Sequence, residues 1–265
     1  MKRLLFSLLG CLLLSAGWSA ASLEAAPSVD EIVARANHMS YYQGQDGRSR
    51  VDMTITDQQG RTRNKSLTIL RKNMDDEDRE QRFYVYFHRP ADERGTVFLV
   101  WKHVGSDDDR WLYLPALDVT KRIAASDERT SFVGSHFFYE DVSGRGIQED
   151  EHELLRTTDN YYVVKNTPKK PEAVEFDHYL TYIHKQSFIP VRAEYYRGET
   201  KYRELSVLEV DGIQGYTTIV KQKMSDLESG GHTVLEFSNV AYDLGLPEDI
   251  FTERYLRRAP REHLR

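Results

Sequence analysis

Apolar and polar residues alternate along most of this chain. Val51-Asp52-Met53-Thr54-Ile55-Thr56 has the two-residue period of a half-buried strand, Gln58-Gln59-Gly60 turns, and Ser66 to Arg71 alternates again. Strands are expected too over 82–87, 95–102, 110–114, 119–123, 151–156, 161–165, 175–184, 190–196, 202–210, 216–226 and 232–240. Arg89-Pro90, Gly105-Ser106-Asp107, Arg197-Gly198-Glu199, Asp211-Gly212 and Ser229-Gly230-Gly231 supply turn chemistry between them. Roughly ten to twelve strands without intervening helices predict an antiparallel meander. A sheet that long must curl to cover its apolar face. The expected fold is therefore mainly β with a few helices, a strongly curved, unclosed sheet wrapped over helices.

The period differs in three places. Ser28 to Ala36 reads as a capped helix, with Ser28 as N-cap, Glu31 three residues on, and Val29, Ile32, Val33 and Ala36 on one stripe. Ala124 to Gly146 is too irregular for a strand, yet it places Phe132, Phe137, Phe138 and Tyr139 within eight residues. A loop so long and so apolar is expected to be functional or a core plug. Residues 247–256 suggest a short C-terminal helix. Lys2 and Arg3, the apolar run Leu4 to Leu14 and the small residues after it form the pattern of a secretory signal peptide. Cleavage is expected after Ala21, or as late as Ala26, leaving a single domain over 22–265. The run is shorter than the roughly 20 residues that span a bilayer.

Composition sharpens this reading. The chain has 265 residues, 40% hydrophobic, 29% charged and 11% aromatic, with a single cysteine. That cysteine, Cys11, follows Leu8-Leu9-Gly10 in the manner of a lipoprotein-processing site. Leu12 to Leu14 come after it instead of a polar tether, so a lipid-anchored form is not expected. Loss of the leader removes Lys2 and Arg3, taking the net charge from −6 to about −8 and leaving no thiol. Without a basic face, nucleic-acid binding is not expected.

Catalytic chemistry is sparse. The nine histidines are scattered without ligand spacing. Asp107-Asp108-Asp109 lacks the alternation of a calcium loop and reads as a turn, so no metal site is expected. Ser131 and Ser135 lie near His136 and Asp141, but Gly134-Ser135-His136 is not a nucleophile elbow. Glu140 and Asp141 read as caps or as partners for Arg129 or Arg145. No cofactor is implied.

The aromatic surplus remains. Trp101, Trp111, Leu114 and Ile123 are candidate walls of a hydrophobic cavity. Phe132, Val133, Phe137, Phe138 and Tyr139 are its candidate plug or removable lid; plain core packing is the alternative role of each. Arg122 and Arg129 are candidates to meet an anionic head group, with surface ion pairs as their alternative.

Three blocks carry a resemblance: Arg94 to Trp101 with Asp107 to Leu117 and Lys121-Arg122-Ile123; Ser131 to Asp141; and Phe251 to Leu256. Together they resemble the outer membrane lipoprotein-sorting protein family, relatives of the LolA and LolB carriers, over essentially the whole mature chain. The resemblance implies an unclosed β-barrel covered by helices, holding a lipid or lipid-modified ligand. It also implies a periplasmic location and, as in many members, association with an RND-type inner-membrane transporter. With no catalytic constellation in the sequence, an enzyme is not expected; transient membrane contact is. His136 stands where the family pattern has an Asp, and Asp118-Val119 replaces a more basic pair. Two alternatives stay open: an accessory module of a transporter that binds no lipid, and an envelope serine hydrolase using Ser131 or Ser135.

Overall fold

A computed structural model describes residues 26–265; the expected signal peptide, its cleavage after Ala21 and Cys11 lie outside the described residues. Helix α1 (Val29–Asn37) opens on the capping box read from the sequence. The Glu31 amide donates to Ser28 Oγ at 3.3 Å and the Ser28 amide donates to Glu31 Oε2 at 2.8 Å, satisfying two otherwise unpaired donors. A π-helical turn, His38–Tyr42, continues it. Thirteen strands follow, rather than ten to twelve. They fall into two meanders: β1 (Asp46–Thr56), β2 (Thr62–Asn73), β3 (Glu80–Arg89), β4 (Val97–His103), β5 (Asp109–Leu114) and β6 (Val119–Ile123); then β7 (Asp150–Thr157), β8 (Tyr161–Pro168), β9 (His178–His184), β10 (Pro190–Arg197), β11 (Thr200–Ile213), β12 (Tyr216–Asp226) and β13 (His232–Tyr242). The expected strand over 175–184 begins only at His178, because Glu175 turns inward as an ion-pair partner.

All thirteen strands form one antiparallel sheet, ordered β6-β5-β4-β3-β2-β1-β13-β12-β11-β10-β9-β8-β7. The first and last strands pair at its centre, Met53 opposite Leu235. The free edges are therefore β6 and β7, which are consecutive in the chain. The sheet curls without closing, and the segment between β6 and β7 must cross from one edge to the other. That segment is the irregular stretch 124–149, and it carries α2 (Tyr139–Ser143).

Alternation assigns the two faces. On the concave face Val51, Met53, Leu67, Phe83, Val85, Phe98, Val100, Leu112 and Ile123 share one core with Phe132, Phe137 and Tyr139 of the crossing segment. Toward the other edge, Ile32, Val33 and Ala36 of α1 pack on Tyr162, Val164 and Ile183. The convex face of β2–β5 is covered as well. Leu246, Ile250, Phe251, Leu256 and Leu264 of the C-terminal segment lie on Leu70, Tyr84, Val97, Leu99 and Trp111. Burial on both faces explains why Val97 to Trp101 reads as an unbroken apolar run. The helix expected over 247–256 is a pair of 3-10 turns, Glu248–Phe251 and Glu253–Leu256. Asp46 anchors this segment by accepting the Leu244 and Leu246 amides at 2.7 and 2.6 Å.

Candidate functional site

Between the concave face, α1 with its π-turn, and α2 lies a cavity of about 370 Å³. That volume is within the roughly 300–1,000 Å³ of small-ligand sites. Val51 and Met53 of β1, Leu67 and Ile69 of β2, Phe83 and Val85 of β3, and Met224, Leu235 and Phe237 of β12 and β13 form an apolar wall. Each projects inward because it is two residues from the next on its own strand. Val33, Ala36, Met39 and Tyr41 line it too, together with polar side chains that include Glu140, Arg145, Asn166 and Tyr179.

The sheet itself opens beside the cavity. Strands β12 and β13 pair only from Lys221 opposite Glu236 to Ser225 opposite His232. Beyond that point β12 stays with β11 as far as Tyr216 opposite Ile213, while β13 stays with β1 as far as Tyr242 opposite Gly47. Thr218, Ile219, Phe237 and Val240 line the cavity along the parting. Side chains rejoin the two strands at its far end, where the Tyr242 amide donates to Gln214 Oε1 at 2.8 Å and Thr218 Oγ1 lies 2.9 Å from Tyr242 OH.

The sequence-derived site residues divide. Phe132 and Phe137 line the cavity. Leu114, Ile123, Val133 and Tyr139 belong to the same inner core beside it, where Tyr139 packs on Phe98 with ring centres 5.2 Å apart. Trp101 and Trp111 are not cavity walls. They project to the convex face, 5.0 Å apart, where Trp101 Nε1 donates to Phe251 O at 2.7 Å under the C-terminal segment. Arg122 is on that outer face too, paired with Asp109 and lying over Trp111. Arg129 is buried and already matched. It pairs with Glu140 and donates twice to Glu175, from Nε and Nη2, each at 2.7 Å. Burial opposes the charge of Glu175, but the bonds from Arg129 and from Tyr202 OH overcome it and hold the carboxyl pKa at about 2. A free head group would have to displace that carboxylate.

The crossing segment is tied to the strands on both sides. Arg110 of β5 donates to Glu128 at 2.6 Å, and Lys102 Nζ of β4 donates to the Ser143 and Gly144 carbonyls at 2.6 and 2.7 Å. From the other side Arg203 of β11 pairs with Asp141, its guanidinium 3.9 Å from the Phe138 ring centre. Arg145 holds Glu140 and Asp150 at 3.1 and 3.0 Å. Phe138 thus sits between Arg129 and Arg203 instead of in the cavity. Burial brings the Lys102 pKa down to about 8 even with Asp108 and Glu140 nearby. Gly144 is required at its position: its φ is +78°, and a Cβ there would meet the Tyr41 ring at 2.5 Å.

Other candidate chemistry finds structural partners. Ser131 Oγ donates to Ser135 O at 2.7 Å, Ser135 Oγ is buried against Phe137 O at 3.3 Å, and His136 Nδ1 is paired with Thr233 Oγ1 at 2.8 Å. Among the described residues neither serine hydroxyl has a base as its hydrogen-bond partner. Glu128, Glu140 and Glu149 place carboxylate oxygens within 4.8 Å of one another, but Arg110, Arg129 and Arg145 already neutralise them. Asp108 accepts the His103 amide and pairs with Arg110, closing the turn.

The backbone matches the crystal structure of a DUF1329 family protein from Desulfovibrio piger, with a TM-score of 0.78 and 27% identity over 85% of this chain and 96% of that one. A family model described as an uncharacterized protein matches residues 79–258. The chain belongs to this DUF1329-like family. Two further structures share the fold of this family member. One is described as an outer membrane lipoprotein-sorting protein domain from Vibrio parahaemolyticus (TM-score 0.77, 24% identity, 86% of this chain and 97% of that one). The other is a LolA superfamily protein from Nitrosomonas europaea (TM-score 0.67, 22% identity, 87% and 100%). The resemblance carried by the three sequence blocks is thus borne out at the level of fold. No curated protein matches the chain. Among the described residues of this DUF1329-like chain, no helix is long and apolar enough to cross a membrane.

Proposed function

We propose that this protein is a periplasmic carrier that takes a lipid or lipid-modified ligand into the cavity under the curved sheet and moves it between envelope membranes. The observation that carries the reading is the cavity: about 370 Å³, with a continuous apolar wall on β1–β3, β12 and β13. Burying one methylene group is worth about 0.8 kcal/mol, so a sixteen-carbon chain gains roughly 12 kcal/mol on leaving water. A molecule of that kind crosses an aqueous space only inside such a shield. The work needs shape and apolar walls rather than a nucleophile or a metal. The resemblance to sorting proteins and the LolA-type fold support the same reading. Exchange with an RND-type transporter rests on the family resemblance.

The parting of β12 from β13 supplies an entrance that leaves the clamped crossing segment in place. Native mass spectrometry of protein taken from its own periplasm tests the proposal, together with uptake of a fluorescent fatty acid. Bound lipid and saturable uptake are expected, with uptake lowered by Ile69→Trp, which fills the cavity from β2. A ligand-free spectrum with no uptake would sink the carrier reading.

A further inference from the structure

The cations of the concave face are almost all spent. Arg110, Arg129, Arg145 and Arg203 each pair with a carboxylate, and Lys102, which is not among the lining residues, donates to the Ser143 and Gly144 carbonyls. Arg71 differs. It is the next inward position of β2 after Leu67 and Ile69, so it stands at the head of the apolar wall and lines the cavity. Among the described residues no carboxylate approaches it within 4.0 Å. The two acidic groups nearby are committed: Asp46 to the Leu244 and Leu246 amides, and Asp243 to the Gln45 amide and Tyr216 OH, each at 2.8 Å.

Arg71 is also held in place. Nη1 donates to Asn73 Oδ1 at 2.7 Å, and Nη2 donates to the carbonyls of Gln43 and Gly44 at the end of the π-turn. Three of the five guanidinium N–H groups are used, and two remain. Gly47 lies against this guanidinium beside the parting of β12 and β13: a Cβ there would stand 3.2 Å from Ala241 O, 3.6 Å from the Tyr242 ring and 3.7 Å from Arg71 Nη2. Burial works against the charge of Arg71, and Tyr242, Asp46 and Asp243 offset this only from a distance. A fixed, permanently charged, half-buried cation without a counter-ion, placed where an apolar wall ends, has the chemistry of an anion subsite.

We propose that Arg71 binds the anionic head, carboxylate or phosphate, of a single-chain amphiphile whose tail lies along Ile69, Leu67 and Val51. This rests on the carrier reading and names the ligand class it would take. Tridecanoic acid, dodecyl phosphate and dodecanol share one dodecyl tail, so displacement of a fluorescent fatty acid by each separates head from chain. The wild-type protein is expected to favour the two anions over the alcohol by about tenfold or more, the scale of a hydrogen bond to a charged group. Arg71→Gln keeps donors for the π-turn carbonyls and removes the charge. It should bind dodecanol as the wild type does and lose the preference; Arg71→Lys should retain part of it. Inorganic phosphate alone should not compete.

Equal displacement by the three chains on wild-type protein, or a preference that survives Arg71→Gln, would overturn the subsite and leave the carrier reading intact. Competition by inorganic phosphate would overturn the amphiphile assignment. Failure of every chain to bind would overturn the carrier reading itself. Should Arg71→Gln not fold, the wild-type comparison and Arg71→Lys still decide.

Discussion

Single residues show how much of this interior depends on close fit. Gly231 faces the His136 ring, and a Cβ there would lie 2.4 Å from Nε2 and 3.0 Å from Thr56 O. The ring cannot swing aside freely, because Thr233 Oγ1 lies 2.8 Å from Nδ1 and also accepts the His136 amide at 3.0 Å. Gly231→Ala should cost about 1–3 kcal/mol in urea unfolding, as overpacking does. Adding His136→Ala should return part of that loss, and additive costs would disprove the contact. Glu175 gives the corresponding case for charge. Its pKa of about 2 lies below the ordinary 4.5, so its stabilisation is complete above about pH 4.5 and disappears as pH falls toward 2. Glu175→Gln should therefore lose up to about 3 kcal/mol near neutrality, and the gap from wild type should close on acidification. A gap that stays constant with pH would show that the charge of Glu175 contributes nothing.

At the scale of elements, the crossing segment 124–149 does what a thirteen-strand open sheet cannot do alone: it fills the trough and ties edge to edge. Its irregularity and its four aromatics were legible in the sequence, as were the capping box at Ser28 and nearly every strand. Its path was not. Alternation marks a strand but does not name its neighbour, so nothing local told that β6 and β7 are opposite edges or that β13 returns to β1. The same limit hid the role of Arg129, whose partner Glu175 is 46 residues away, and of Arg203, which has no local signature. Arg71 was missed for a different reason: a lone basic residue at a strand end reads as solvated until its lack of a carboxylate partner is visible. The segment's ties are buried ion pairs, in which loss of one partner is severe. Asp141→Ala removes the carboxylate that Arg203 meets, and Nε and Nη1 of that arginine already have no partner among the described residues. A loss of about 3–5 kcal/mol is expected in chemical denaturation. A cost below about 1 kcal/mol would mean that the segment is held by its aromatics alone.

Across the whole molecule, the sheet separates two apolar compartments. The concave one holds the cavity, while the convex one is sealed by the C-terminal segment and contains both tryptophans of the described residues, Trp101 and Trp111. Alternation along β4 puts Trp101 on one face with Val97 and Leu99, but which face borders the cavity depends on a segment 150 residues later. This division makes intrinsic fluorescence a selective probe. Trp101 donates to Phe251 O, and Trp111 packs under the same segment. Filling the cavity should therefore leave tryptophan emission nearly unchanged, since the sheet stands between ligand and indoles. Phe251→Ala removes a fully buried ring from the convex compartment. It should shift the emission to longer wavelength, lower stability by about 3–5 kcal/mol, and still permit uptake of a fluorescent fatty acid while the protein remains folded. Emission that follows ligand titration in the wild type, and not the state of the C-terminal segment, would place the bound molecule on the convex face and reverse the roles of the two compartments.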